Sequence, residues 1–263
     1  MIVAMSGRQV RRIVLEQSFR ARIGHIGSAL SIADLLAVLY EDVLRASGPR
    51  DPDRDRFILS KGHAALALYA VLHLRGWLSA DDLATFAGED TLLGVHPEHA
   101  LPGVDFSTGS LGHGLSIGVG AALGARMLGV ARRVFVLLSD AECNEGSVWE
   151  AAMFAAHHRL GALTAIVDLN GQQALDYTRD VLDLHPLGDR WRAFGWSVRE
   201  IDGHDSHQIH SALTAQEALP TVVIARTVFG RGVSFMESRI PWHYLPMSEE
   251  QYHRALAELA ARE

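Results

Sequence analysis

Five apolar runs along the chain have the length and composition of buried β-strands. They are residues 56–60 (RFILS), 134–138 (VFVLL), 163–168 (LTAIVD), 197–202 (SVREID) and 221–228 (TVVIARTV). Several are continuous rather than alternating, which is typical of strands covered on both faces. Patterns of helical period lie between them, at 63–75, 114–128, 146–159, 205–218 and 248–261. This alternation predicts an α/β fold, a doubly wound and mostly parallel sheet with helices on both faces.

Three further segments carry helix signals. "SIADLLAVLYEDVL" (31–44) has Ser31 followed three residues later by Asp34, and "SADDLATF" (79–86) has the same spacing of Ser79 and Asp82. Each spacing predicts a helix that begins at the serine, with Asp in place of the usual Glu. Near the N-terminus, apolar and basic positions predict an amphipathic helix with a solvated basic face. Its apolar positions are Ile2, Val3, Met5, Val10, Ile13 and Val14, and its basic ones Arg8, Arg11, Arg12, Arg20 and Arg22.

Composition narrows the class of protein. Hydrophobic residues make up 48% and charged residues 21% of the 263 residues, as in globular domains. The net charge of −7 and the absence of a basic stripe argue against nucleic acid as a partner. No apolar run reaches the ~20 residues of a membrane span, so no membrane partner is expected. Cys143 is the only cysteine, which excludes an intrachain disulfide or a cysteine-built zinc site, and we expect a cytoplasmic location.

Oxygen-bearing side chains follow two of the predicted strands. Asp140 ends the first in "VFVLLSDAECNEGS", and Asp168 and Asn170 end the second in "LTAIVDLNGQQ". Ligands of open α/β sheets bind beyond the carboxyl ends of the strands, and hard oxygen donors suit Mg²⁺. A helix predicted to begin near Asn144 or Glu145 would favour an anion at the same place. From the spacing alone, a helix cap and a turn explain these residues as well as a metal–diphosphate site does.

Several motifs in order resemble the N-terminal half of transketolase, the domain that holds the diphosphate of thiamine diphosphate. They are "GHIGSALS" (24–31), "DRFILSKGHAALALYAVLHLRGW" (55–77), "GVHPEHALPGVDFSTGSLGHGLS" (94–116), "SDAECNEGSVWEAA" (139–152), "DLNGQQ" (168–173) and "GRGVSFMESRIPWHY" (230–244). The long, Gly- and His-rich segment 88–114 has little regular pattern, as functional loops often do. The resemblance covers nearly the whole chain and implies thiamine diphosphate and Mg²⁺ as cofactors, with Ca²⁺ or Mn²⁺ as substitutes.

The resemblance also implies roles for individual residues. Asp140 and Asn170 match the side-chain metal ligands, and Gln172 matches a ligand that uses its backbone carbonyl. Histidines that contact the diphosphate or face the substrate are matched by His25, His63, His96 and His243. The cofactor-binding set comprises His63, Gly109, Ser110, Leu111, Asp140, Ala141, Glu142, Asn170 and His243. Glu145 and Glu150 match acidic residues at a subunit interface. Neutral histidines suit sugar hydroxyls and proton transfer near pH 7.

The chain departs from the family pattern at three positions. Ser139 and Ala141 replace the glycines that flank the metal aspartate, and His113 stands where transketolases usually carry Gln. A non-glycine residue forced to positive φ costs about 1–2 kcal/mol. We therefore predict weakened or reshaped cofactor binding at Ala141 rather than its loss. For His113, the sequence leaves substrate and interface contacts as alternatives.

The family resemblance has consequences for domain organisation. It implies a single diphosphate-binding domain over residues 1–263, with no segment matching the pyrimidine-binding and C-terminal domains. The expectation is one subunit of a split transketolase, active with a separate pyrimidine-domain chain, as an α2β2 heterotetramer on sugar or sugar-phosphate substrates. Alternatives are a non-catalytic paralogue that serves as a structural partner, or a subunit like deoxyxylulose-phosphate synthase or a 2-oxoacid dehydrogenase. "GVHPE" and "TGSLGHG" favour transketolase.

Overall fold

A five-stranded parallel sheet organises the chain. The computed structural model describes residues 5–215 and 217–261. The strands are β1 (Arg56–Leu59), β2 (Val134–Ser139), β3 (Leu163–Leu169), β4 (Ser197–Asp202) and β5 (Thr221–Arg226). Their order across the sheet is β1-β2-β3-β5-β4, and every pair is parallel. Each strand lies within two residues of its predicted bounds, which confirms the mostly parallel α/β fold.

Helices connect the strands and cover the sheet. They are α1 (Gly7–Ala21), α2 (Gly27–Ser31), α3 (Ala33–Val38), α4 (Ala65–Leu74), α5 (Ala80–Leu83), α6 (His113–Met127), α7 (Gly146–His157), α8 (Thr178–Val181), α9 (Leu187–Ala193), α10 (Ser206–Thr214) and α11 (Glu249–Ala261). One π-helical turn, Leu39–Val43, extends α3, and 3₁₀ turns lie at Gly62–Ala64, Ala141–Asn144 and Ile240–His243. No helix in the described part of the chain is both long and apolar enough to cross a membrane.

The sheet separates two apolar layers, as continuous apolar strands require. Successive residues of β2 alternate between them: Phe135 and Leu137 pack with α1–α4 on one side, whereas Val136 and Leu138 pack with α6 and α7 on the other. Every residue of β2 is buried. At about 25 cal/mol per Å² of apolar area, burial on both faces is the main stabilising contribution. The sheet is thereby held rigid beneath the loops at its carboxyl edge.

Several local predictions need correction. Ser31 does not begin a helix; it is the last residue of α2, and its buried hydroxyl donates to Asp168 Oδ2 at 2.7 Å. The signal at Ser79 is confirmed, because its side chain caps the Asp82 amide, but α5 is only four residues long. The basic face of α1 is not wholly solvated, since Arg11 is buried against Asp34. Ile2 and Val3 lie outside the described residues.

Candidate active site

The predicted metal ligands meet where β2 and β3 end. Ser139 is the register partner of Asp168, so Asp140 and Asn170 leave neighbouring strands at the same edge. The amide of Gly171 donates to Asp140 Oδ2 at 2.9 Å, which ties the two segments together. Asn170 Nδ2 donates to Asp168 Oδ2 at 2.8 Å, and this leaves its carbonyl oxygen as the acceptor, bonded to the Gln172 amide at 3.0 Å. Two oxygen donors are thus oriented by backbone and side-chain bonds.

The electrostatics at the ends of β2 and β3 favour a cation. Asp140 is only 6% exposed, and burial together with the charge of Asp168 raises its pKa to about 7. The side-chain amide of buried Gln172 has no hydrogen-bond partner on either its oxygen or its nitrogen. Such an unsatisfied buried group costs about 1–3 kcal/mol unless a ligand or water completes it. The ends of β2 and β3 thus carry a buried carboxylate, further oxygen atoms and a side-chain amide without hydrogen-bond partners. This arrangement, the oxygen-lined corner, fits a hard divalent ion.

A different kind of metal centre is absent from residues 5–215 and 217–261. There, no three His, Cys, Asp or Glu side chains are grouped as a metal site. The predicted donors are instead one carboxylate, one amide and one backbone carbonyl, a set that suits Mg²⁺ when phosphate and water supply the remaining ligands. The residues present therefore fit the metal–diphosphate pair that the resemblance implies.

The backbone of the turn after β2 shows whether Ala141, which replaces a family glycine, is strained. Ala141 begins a 3₁₀ turn and is not among the non-glycine residues with positive φ. The strain on which we based the prediction of weakened cofactor binding is therefore absent from the described backbone. The Ala141 amide donates to Asp140 Oδ1 at 2.9 Å. The predicted helix also begins slightly later than expected, because α7 starts at Gly146 after this turn.

The side chain of Glu142 stabilises the turn after β2 through buried hydrogen bonds. Its carboxylate is fully buried and accepts from Ser60 Oγ at 2.5 Å and from the Gly112 amide at 2.8 Å. It also accepts from the Ser139 amide at 3.3 Å. Burial raises the pKa of this carboxyl group. A cofactor contact by Glu142 stays a prediction; the structure shows its side chain bonded inside the protein.

The predicted aminopyrimidine loop lies directly beside the histidines. Thr108 Oγ1 donates to the Leu59 carbonyl at 2.6 Å, which fixes the loop to the end of β1. A Cβ on Gly109 would lie 3.2 Å from the His96 ring, and one on Gly62 would lie 2.9 Å from the Gly109 amide. The two glycines therefore allow loop, histidine motif and strand end to approach closely. Ser110 and Leu111 are exposed at the tip of this loop.

The four predicted histidines converge although their motifs are far apart in the chain. His25, His63 and His96 line one cavity of about 260 Å³ with an apolar wall that includes Leu66 and Phe86. The His25 ring centroid lies 4.8 Å from that of His63 and 5.7 Å from that of His243. The His243 ring also stacks on Phe229 with centroids 4.3 Å apart. The cluster can therefore present several imidazoles to one small ligand.

Burial favours the neutral form of three of these imidazoles, those of His25, His63 and His243. Burial lowers the pKa of His25, with the charge of His96 next in size, and lowers the pKa of His63 well below 6.5. Burial likewise lowers the pKa of His243 to about 4. Neutral imidazole can donate from one nitrogen and accept at the other, which is what binding and deprotonating hydroxyl groups requires.

Sequence reasoning missed a buried network beneath the cluster. Lys61 is fully buried and donates to Asp168 Oδ2 at 2.5 Å and to Ser28 Oγ at 2.7 Å. Ser28 Oγ lies 3.2 Å from His63 Nε2, so the network reaches the histidines. Asp168 also accepts from Ser31 and Thr227. "SKGH" and "GSALS" contained these residues, but no local pattern pairs positions 107 residues apart.

Comparisons with known proteins identify the family of this chain. Residues 4–260 match the family described as transketolase, thiamine diphosphate binding domain. The chain is 40% identical to a 6-deoxy-6-sulfo-D-fructose transketolase subunit of Clostridium sp. (strain MSTE9), covering 95% of this chain and 93% of that one. It is 38% identical to one of the subunits of the apulose-4-phosphate transketolase of Phocaeicola vulgatus, covering 96% and 92%.

A solved structure shows the same fold. Transketolase from Campylobacter jejuni superposes with a TM-score of 0.92 at 30% identity. The match covers 98% of this chain but 43% of that one, so the chain spans about two-fifths of a full-length transketolase. The chain therefore belongs to the transketolase family, as an enzyme subunit built on its thiamine diphosphate-binding domain.

Proposed function

We propose that this chain is the diphosphate-binding subunit of a two-chain transketolase. The enzyme would transfer a two-carbon ketol unit from a ketose to an aldose, using thiamine diphosphate and Mg²⁺. The observation that carries the proposal is the convergence of four histidines beside the oxygen-lined corner at Asp140. The near-complete coverage of relatives named as transketolase subunits supports a separate partner chain.

Metal and cofactor binding would be divided among residues of the carboxyl edge. Asp140, Asn170 and the Gln172 carbonyl would hold the cation, with Ca²⁺ or Mn²⁺ able to replace Mg²⁺. The cation would neutralise the diphosphate, and it would offset both the burial of Asp140 and the repulsion from Asp168 that together raise the Asp140 pKa. Thiamine diphosphate supplies the carbanion chemistry, so the protein has to bind, orient and tune it.

The histidines would handle the substrate hydroxyls. His25, His63 and His96 share one cavity and can together orient a ketose, and the neutral rings of His25 and His63 can accept a proton from it. His243 is fixed from the other side by Phe229 and by the Ile240 carbonyl, which lies 3.3 Å from its Nδ1. The apolar wall of the cavity would exclude water from the reacting carbons.

The partner would cover helices α6 and α7. Glu145, just before α7, and Glu150 within it are exposed, and Met153 and Phe154 of α7 expose 51% and 43% of their surface. Exposed apolar groups with acidic neighbours are typical of protein interfaces. His113, the first residue of α6, is exposed and follows Gly112, on which a Cβ would lie 2.7 Å from Glu145 Cβ, and this favours an interface role for it. We propose an α2β2 assembly located in the cytoplasm. The single cysteine of the sequence, Cys143, is buried and forms no disulfide, which is compatible with a reducing compartment.

Reconstitution with the pyrimidine-domain partner tests the proposal. Asp140→Ala should abolish Mg²⁺-dependent binding of thiamine diphosphate and ketol transfer, whereas exposed Asp189→Ala should change neither. Unchanged transfer by Asp140→Ala would instead favour a structural partner without catalytic function. Turnover of a ketose by the isolated chain would refute the requirement for a second subunit.

A further inference from the structure

A second cavity lies at the opposite edge of the sheet from the histidines. It has a volume of about 410 Å³ and lies at the amino ends of β2 and β3, among the residues that precede Val134 and Leu163. Five arginines line this arginine pocket: Arg45, Arg126, Arg132, Arg133 and Arg159. A concentration of cations is unexpected in a chain of net charge −7, because the remaining surface is acidic.

Only part of this charge is neutralised within the protein. Arg45 and Arg133 share a single carboxylate, Asp55, at 2.7 Å each. The one acidic residue that lines the pocket, Glu217, is paired with Arg199 instead. Among the ion pairs of residues 5–215 and 217–261, none involves Arg126, Arg132 or Arg159. The pocket therefore has a clear excess of positive charge.

The arginines also retain donors that nothing in the described chain accepts. Arg126 Nη1 donates to the His158 carbonyl at 2.6 Å, and one Arg132 Nη donates to the Pro52 carbonyl. Arg132 Nε is buried and has no hydrogen-bond partner. The structure shows no side-chain hydrogen bond for Arg159 within its described residues. Arg126 and Arg159 are exposed, so their remaining N–H groups are available to an anionic ligand in the cavity.

Compensation of helix dipoles explains only part of the arrangement. Helices α6, α7 and α10 end near this edge, and cations are favourable at helix C-termini. Arg126 fits that role, since it binds a carbonyl in the residue after α7. A dipole, however, does not supply an acceptor atom for the exposed guanidinium of Arg159, which has no side-chain hydrogen bond in the described chain.

The remaining walls are apolar. They are formed by Ala122, Val130, Leu160 and Leu213, with Phe135 beneath the Arg133 guanidinium at 5.2 Å. Guanidinium groups bind phosphate through pairs of parallel N–H donors, and a volume of about 410 Å³ lies within the range of small-molecule sites. We propose that the arginine pocket binds a small organic phosphate, with phosphate on the arginines and the organic part on the apolar wall.

Calorimetric titration of the purified chain with ATP tests this proposal. EDTA should be present, so that no divalent cation supports diphosphate binding at the carboxyl edge. We expect one ATP site. Arg126→Gln/Arg159→Gln, two exposed positions, should weaken it at least about tenfold, because charge-assisted contacts are lost. Arg190→Gln/Arg192→Gln on α9 is the matched control and should bind like the wild type.

Three results would overturn the proposal. They are no ATP binding at millimolar concentration, unchanged affinity in the Arg126→Gln/Arg159→Gln variant, or an equal loss of affinity in the Arg190→Gln/Arg192→Gln control. A parallel titration with inorganic phosphate tests the apolar wall. We expect a lower affinity for phosphate than for ATP. Equal affinities would refute the proposal that the apolar wall binds the organic part of the ligand. Unchanged thermal unfolding of the variant shows that its loss of affinity is not a loss of fold.

Discussion

Ser139 and Glu142 hydrogen-bond each other in both directions across the turn that follows β2. The Glu142 amide donates to Ser139 Oγ at 3.0 Å, and the Ser139 amide donates to Glu142 Oε2 at 3.3 Å. This is the reciprocal arrangement of a capping box, and the spacing of serine and glutamate in "SDAE" is its sequence signature. The serine that replaces a family glycine thus stabilises the turn that carries Asp140.

Ser139→Gly should destabilise the protein without improving cofactor binding. Loss of the serine hydroxyl removes a cap bond worth a few tenths of a kcal/mol against Gly, and glycine in β2 costs about 0.5–1 kcal/mol more, so we expect the free energy of unfolding to fall by about 1 kcal/mol. Urea denaturation measures this loss, and calorimetry should show thiamine diphosphate affinity within about threefold of wild type. Ser238→Gly is the matched control: Ser238 has φ of 55°, where glycine is favoured, so this change should cause no loss. Equal effects of the two substitutions would contradict the assigned role of Ser139.

Ala141→Gly tests whether the missing glycine matters. Because Ala141 lies in a 3₁₀ turn without positive φ, restoring glycine relieves no strain. We expect Mg²⁺-dependent thiamine diphosphate affinity within about threefold of wild type, and a free energy of unfolding lower by about 0.5–1 kcal/mol. A gain in affinity of about tenfold or more would show that Ala141 does hinder the diphosphate.

Lys61→Met should be strongly destabilising, because it leaves Asp168 buried without its cation. Both side chains are 0% exposed, and breaking such a pair from one side typically costs about 3–5 kcal/mol. Lys61→Met/Asp168→Asn removes both charges and should recover part of that loss in chemical denaturation. A double variant as unstable as the sum of both single variants would mean that the two charges do not interact.

Stability should fall on acidification because of His243. Its pKa of about 4 lies below the ordinary 6.5, so the unfolded chain binds the proton more readily than the folded one. Stability is full above about pH 6.5 and is lost progressively as the pH falls from there toward 4. Asp140 has the opposite effect on stability, because its raised pKa of about 7 makes the folded chain bind a proton more readily than the unfolded one. The contribution of His243 therefore has to be separated with a variant at that position.

His243→Asn isolates this contribution. The difference between the free energies of unfolding at pH 7 and pH 5 should be smaller in His243→Asn than in the wild type, as measured by urea denaturation. His210→Asn, at an exposed position on α10, controls for the substitution itself. An unchanged difference in His243→Asn would show that its protonation is not coupled to folding.

Local patterns predicted much of the fold and the position of the site. Apolar runs, several of them continuous, marked all five strands, and turn-forming residues marked their ends, because strand burial and chain reversal leave their signature within a few residues. Helix α9 was missed, since its short segment "LGDRWRA" has too few apolar positions to show a helical period. Ser31 was misassigned because its hydroxyl, which could cap a helix, instead donates to the buried carboxylate of Asp168. That partner is 137 residues away in the chain and comes near only on folding.

The sequence by itself determined the parallel α/β architecture, the residues at the ends of β2 and β3, and the four histidine motifs. Tertiary structure decided what these residues touch. It placed β5 between β3 and β4, paired Lys61 with Asp168, and set Ala141 in an unstrained turn. It also brought together the arginines of the arginine pocket from Arg45 to Arg159. The reason is physical: periodicity and caps act between neighbours, whereas these contacts join positions that approach only after the sheet and its two apolar layers have formed.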